Sequence, residues 1–139
     1  MKHSASSEWK GNLKEGAGTV TSQSGALNGL AYSYKSRFVD ETGKSGTNPE
    51  ELIAAAHSSC YAMQFSAYLA ENGTPGEVSV SCVVEIEAGT IKASALTVEG
   101  RVPGIDAAKF QELAEKARTN CPVSKALAAL SITLDARLL

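Results

Sequence analysis

The residues best able to do chemistry in this chain are three cysteines, Cys60, Cys82 and Cys121, and a histidine, His57, three positions before the first of them. A thiol can serve as nucleophile, redox centre or metal ligand, and its microenvironment selects among these. The cysteine count is odd and no CxxC occurs, which argues against a fixed disulfide framework. A zinc site needs four protein ligands, or three and a water, and only Cys60, Cys121 and His57 are on offer. Neither a metal nor any other cofactor is therefore expected, and nucleophilic or redox chemistry is left.

The three thiols have different local prospects. Cys82 lies on the core-facing register of an alternating segment and reads as a small buried hydrophobe. Cys121 precedes Pro122 at a helix start, so it holds the cap position, where backbone N–H groups stabilise a thiolate. Local physics nominates it as the attacking thiol. Cys60 falls in the middle of a long helix, away from either terminus, and an apolar surround there raises a thiol pKa. It would need a cation nearby. His57 shares a helical face with Cys60, which allows a Cys–His pair and an acyl-transferring or hydrolytic enzyme. It also allows a partly buried histidine satisfied by a carbonyl or hydroxyl. Glu50 and Glu51 suit a helix N-terminus, and Arg37, closing an aromatic segment before a loop, would ordinarily be a solvated charge.

The elements that must position these residues can be read from pattern. "GTVTSQSG" and "LAYSYKSRF" predict short strands, the second running over 30–38 with Arg37 near its end, and "DETGKSGTNP" predicts a loop. Asn48 as N-cap, Pro49 at the first helical position and Glu51 as a capping-box partner open a helix that "ENG" closes near Glu71. That helix is almost uncharged through its middle, so burial on most sides is expected. In "EVSVSCVVEIEAG", Val78, Val80, Cys82, Val84 and Ile86 form one core face. "TIKASALTVEGRV" changes phase between Ala95 and Leu96, which predicts a bulge. Asp106 caps an amphipathic helix with Phe110, Leu113, Ala114 and Ala117 on its apolar stripe, a short helix starts at Pro122, and "ITLDARLL" closes as a strand. Strands cluster rather than alternate with helices, which predicts a single α+β domain over residues 1–139, its sheet largely antiparallel and packed on the long buried central helix.

Composition sets the outer bounds. The 139 residues suffice for one domain with a core, and 43% hydrophobic with 20% charged residues is ordinary for a globular chain. A net charge of −2 gives no electrostatic case for nucleic acid or anionic lipid. No apolar run reaches the length of a membrane span, and "MKHSASSEWKGN" lacks the apolar stretch of a signal peptide, so a cytoplasmic location is the default expectation.

The segments "RFVDETGKSGTNPEELIAAAHSSC", "VPGID", "CPVSKAL" and "ITLD" together resemble the OsmC/Ohr family of thiol peroxidases, across essentially the whole chain. "AAHSSC" and "CPVSKAL" look more like the osmotically inducible OsmC branch than the organic-hydroperoxide-resistance branch. The resemblance implies an intertwined homodimer with sites at the subunit interface, reducing organic hydroperoxides. It implies that Cys60 is the peroxidatic thiol and Cys121 the resolving thiol, with Arg37 and Glu50 ordering the site. This reverses the local ranking of the two cysteines, which is physically tolerable if the Arg37 guanidinium lies beside Cys60. The implied reductant is a dithiol, with a lipoylated protein as donor in the Ohr branch. A redox sensor or small-ligand binding protein with little turnover is the alternative on the same fold.

One geometric expectation follows. Ten residues along a helix separate Glu50 from Cys60 by about 15 Å and about 80° of rotation, too far for one site on one straight helix. A second copy crossing antiparallel near Ala55, within the alanines at 54–56, would bring Glu50 of one subunit beside Cys60 of the other. The rivals are a bend in the helix or an Arg37 that spans the gap within one chain.

Overall fold

Along the chain, one group of strands precedes a long helix and a second group follows it. The computed structural model describes all 139 residues. Its elements are β1 (Ala5–Lys10), β2 (Ala17–Ser22), β3 (Leu30–Tyr32), α1 (Tyr34–Phe38), α2 (Pro49–Glu71), β4 (Glu77–Glu87), β5 (Thr90–Arg101), α3 (Ala107–Asn120), α4 (Pro122–Ala126) and β6 (Ser131–Leu138). This mixed α+β chain falls into two compact units, Met1–Leu52 and Ile53–Leu139, divided within the first turn of α2.

In the first unit β1, β2 and β3 form an antiparallel sheet in chain order. The aromatic segment predicted as one strand over 30–38 stops at Tyr32, and Arg37 lies on a helix instead. Two serines cause the change. Ser33 Oγ accepts from Ser36 N at 3.1 Å while Ser36 Oγ accepts from Ser33 N at 2.8 Å, a reciprocal cap that starts α1. Ser36 Oγ also donates to Thr47 O at 2.7 Å, which ties α1 to the residue just before α2.

The long helix begins and ends where the sequence places it. Asn48 Oδ1 accepts from Glu51 N at 2.8 Å, as an N-cap should. The return leg of the expected capping box is not made, because the Glu51 carboxylate takes the Thr47 hydroxyl at 2.7 Å. At the other end Gly73, with φ 78°, lets the chain turn, and Thr74 N donates back to Leu69 O at 2.9 Å. The expectation of burial on most sides needs correction. Within one chain a single stripe, His57, Tyr61, Phe65 and Leu69, is buried, while Ala55, Ser59, Met63 and Ala67 stay exposed. Both sets repeat every four residues, so they lie on different faces of the helix.

In the second unit β4 and β5 pair antiparallel and β6 joins β5 in parallel, so the antiparallel expectation holds for all but this last pair. Val78, Val80, Cys82, Val84 and Ile86 take the inward side of β4, as their alternation requires. The irregularity predicted at 95/96 occurs nearer the hairpin: Glu85 pairs with Ala93 and Ile86 with Ile91, leaving Lys92 unopposed. Beyond it Ser94, Leu96, Val98 and Gly100 are the buried positions of β5. The core joins Tyr61, Phe65 and Leu69 of α2 to Leu96 and Val98 of β5 and to the predicted stripe of α3. Phe65 and Phe110 meet edge to face with centroids 5.2 Å apart. Phe110 packs against Gly100, where a Cβ would sit 2.5 Å from its Cε2.

Candidate active site

Cys60 and Cys121 come together although they are 61 positions apart. Cys60 is half-buried on α2, and Cys121 is fully buried where α3 ends and α4 begins. Both are free thiols, and Cys60 packs against the core cluster that holds Cys121, close enough for the Cys121 thiol to affect the Cys60 pKa. Pro122 has no N–H, so Val123 supplies the first free amide of α4, and that amide is near enough to Cys60 to draw its pKa down. The sequence assigns these cap donors to Cys121, but the Cys121 side chain makes no cap hydrogen bond. The neighbouring helix start thus helps the thiol that its own helix leaves without a terminus. Even so, burial pushes the Cys60 pKa up, the Cys121 thiol adds to the rise, and the Val123 amide opposes it.

Arg37 and Glu50 form a second pair, inside the first unit. Arg37 Nη2 donates to Glu50 Oε1 at 2.7 Å, and Nε donates to the two carboxylate oxygens at 3.1 and 3.2 Å. The Glu50 side chain is only 8% exposed, against 35% for Arg37. A buried carboxylate needs such a partner, so Glu50 fixes the fork geometry of the guanidinium while leaving part of it accessible. Arg37 is therefore not the free solvated charge its sequence position allowed. Around it Trp9, Leu13, Tyr34, Phe38 and Pro49 line a cleft of about 270 Å³, with the guanidinium carbon 5.0 Å from the Phe38 ring centroid. The two pairs belong to different units: Arg37 and Glu50 to the first, Cys60 and Cys121 to the second.

His57 is completely buried and both ring nitrogens are occupied. Nδ1 lies 2.6 Å from Ser94 Oγ on β5, and Nε2 lies 2.8 Å from Ser124 Oγ on α4. Ser94 Oγ also meets Cys82 Sγ at 3.1 Å, and His57 Nδ1 is 3.9 Å from that sulfur. The histidine's sulfur neighbour is thus Cys82, and its serine bonds leave no ring nitrogen to act as a base toward Cys60. Burial holds its pKa below the ordinary imidazole value. Of the large apolar side chains that follow Cys60 on α2, Tyr61 and Phe65 belong to the core and Met63 is exposed. Sequence reasoning missed Ser94, Ser124 and the Val123 amide. Ser94 alone had a signal, a lone polar residue in phase with Leu96 and Val98. No three His, Cys, Asp or Glu side chains gather as a metal site would require, and no helix is long and apolar enough to cross a membrane.

Fold and site together describe a mixed α+β protein in which one long helix presents a thiol to a second thiol from the start of a short helix. A family model described as OsmC-like protein matches residues 41–136. Peroxiredoxin OsmC of Escherichia coli is 45% identical over 135 residues, which is 94% of this chain and 92% of that one. The organic hydroperoxide resistance protein of Xanthomonas axonopodis pv. citri is 42% identical over 95 residues, 65% of this chain and 66% of that protein. In fold, the crystal structure of an OsmC-like protein from Mycoplasma pneumoniae matches with a TM-score of 0.75 at 12% identity, covering 100% of this chain and 98% of that one. The chain belongs to the OsmC-like protein family.

Proposed function

We propose that this protein is a cysteine-based peroxidase that reduces organic hydroperoxides to alcohols, working as a homodimer with a dithiol as electron donor. The meeting of Cys60 and Cys121 carries this reading. The Cys60 thiolate attacks the peroxide, the O–O bond breaks, and the alkoxide leaves as the alcohol after taking a proton. Cys60 is left as a sulfenic acid. Cys121 then attacks that sulfur, water leaves, and the disulfide is returned to two thiols by a dithiol such as that of a lipoylated protein. Accessibility favours this order, since Cys60 is half-buried and Cys121 fully buried. The names of the E. coli and Xanthomonas relatives point to the same chemistry.

A thiol whose pKa is raised by burial needs a cation to ionise, and the leaving oxygen needs one as its charge develops. Arg37, aligned by Glu50, is the cation we assign to both roles. The aromatic cleft around it suits an apolar peroxide substituent. The homodimer supplies the link between the two pairs: Glu50 and Arg37 of one subunit serve Cys60 of the other. The small residues on the exposed stripe of α2 support such a crossing, since they let two helices approach closely.

Turnover of cumene hydroperoxide with a dithiol present tests the proposal. We expect Cys60→Ser to abolish consumption, and Cys121→Ser, with no dithiol present, to consume one equivalent and accumulate a dimedone-reactive sulfenic acid. A single stoichiometric oxidation of the unaltered protein, without turnover, would instead make it a sensor. Retained full turnover in Cys121→Ser would show that the dithiol reduces the Cys60 sulfenic acid directly, and would remove Cys121 from the cycle.

A further inference from the structure

The peroxidase scheme makes no use of one buried cluster, formed by His57, Ser94, Ser124 and Cys82. Its placement relative to the two thiols is specific. His57 precedes Cys60 by three residues on α2, and Ser124 follows Cys121 by three residues on α4. The 2.8 Å contact between His57 Nε2 and Ser124 Oγ therefore joins the two segments that carry the reacting sulfurs, one turn away from them. On its far side His57 is anchored to the sheet through Ser94 at 2.6 Å. Each of the three polar side chains is at least 95% buried. Between Cys121 and Ser124 lies Val123, whose amide is near enough to Cys60 to draw its pKa down.

We propose that His57 is the positioning residue for disulfide closure: its bond to Ser124 holds the Cys121–Ser124 turn against α2, setting both the Val123 amide and the Cys121 thiol on the Cys60 sulfur. It rests on the peroxidase reading for its biological use, but not for its physical content. In the closing step Cys121 attacks the sulfur of the Cys60 sulfenic acid. The S–S bond forms as the S–O bond breaks, and the hydroxide leaves as water with the proton from the Cys121 thiol. The step needs the attacking sulfur in line with the breaking bond, so a small drift of the turn slows it steeply.

The test compares Ser124→Ala, Ser124→Thr and His57→Gln with the unaltered protein, each first shown to be folded by circular dichroism and thermal melting. Closure of the disulfide is driven by diamide, which takes up the two electrons and two protons of the thiol pair and becomes a hydrazine, so no peroxide is needed. We expect Ser124→Ala and His57→Gln to close about tenfold more slowly, the scale of one lost buried hydrogen bond. Their Cys60 alkylation by iodoacetamide should shift to higher pH, while Ser124→Thr, which keeps the hydroxyl, restores both readouts. Closure and alkylation of folded Ser124→Ala at the unaltered rates would overturn the proposal. Equal slowing in Ser124→Thr would overturn it too, by showing that the side-chain volume rather than the hydroxyl matters. Should the unaltered protein close with diamide yet fail to turn over hydroperoxide, the peroxidase reading falls and the positioning role of His57 stands.

Discussion

At the scale of single residues, charge decides what each sulfur can do. Burial raises the Cys60 pKa and the Val123 amide compensates only in part, so the proposed role of Arg37 as its cation makes a definite demand. Replacing Arg37 by Met should lower kcat/KM for cumene hydroperoxide by about 100-fold, the cost of losing one group that stabilises charge in a transition state. Alkylation of Cys60 should move to higher pH in the same variant. Stopped-flow kinetics and a pH series of alkylation would read the two effects, and an unshifted alkylation profile would remove Arg37 from the mechanism. His57 makes a second residue-scale prediction. Its folded pKa lies below its ordinary value of 6.5, so between those two values the unfolded chain binds a proton that the folded chain refuses. The stability it contributes is complete above the unfolded pKa and is lost as pH falls toward the folded one. Melting curves between about pH 7.5 and 5.5, bracketing the ordinary imidazole value, should therefore show a steeper loss of Tm in the native chain than in His57→Gln.

At the scale of elements, close packing makes the clearest demand at Gly100. A methyl group there would drive into Phe110, itself wedged against Phe65, so Gly100→Ala should cost about 2 kcal/mol by overpacking and lower the Tm by several degrees. Calorimetry would measure it, and an unchanged Tm would mean that α3 can slide along β5. Periodicity made most of these elements legible beforehand. The alternation of Val78 to Ile86, the stripe from Phe110 to Ala117 and the caps at Asn48 and Asp106 are local signals, and the structure keeps them. What escaped depends on contacts distant in sequence or on a local competition that pattern cannot weigh. Ser33 and Ser36 convert an apparent strand into the helix that carries Arg37. Ser124 looks like a surface residue, and Ser94 like a stray polar position on an apolar face, until a histidine is found between them. The Val123 amide reaches Cys60 only because α4 folds back onto α2, and no spacing rule encodes that. The paired cysteines were legible as motifs, and the resemblance, not local physics, ranked Cys60 over Cys121; the greater exposure of Cys60 agrees with that rank.

For the whole molecule, the decisive matter is that its two charged and sulfur-bearing pairs lie in separate units of the chain. Mixing Glu50→Gln chains with Cys60→Ser chains tests whether assembly unites them. If Glu50 of one subunit serves Cys60 of the other, the mixed dimer holds one fully intact site, and the mixture should recover part of the activity that both parents lack. Recovery would be read as peroxide consumption after co-refolding, and its absence would assign each site to a single chain. The bare stripe of α2 carries a further implication. A helix whose outer face is alanine, serine and methionine gains little from water, so the second copy would supply stability as well as chemistry. Dilution would then act as a denaturant, and folding and association would form one concentration-dependent equilibrium.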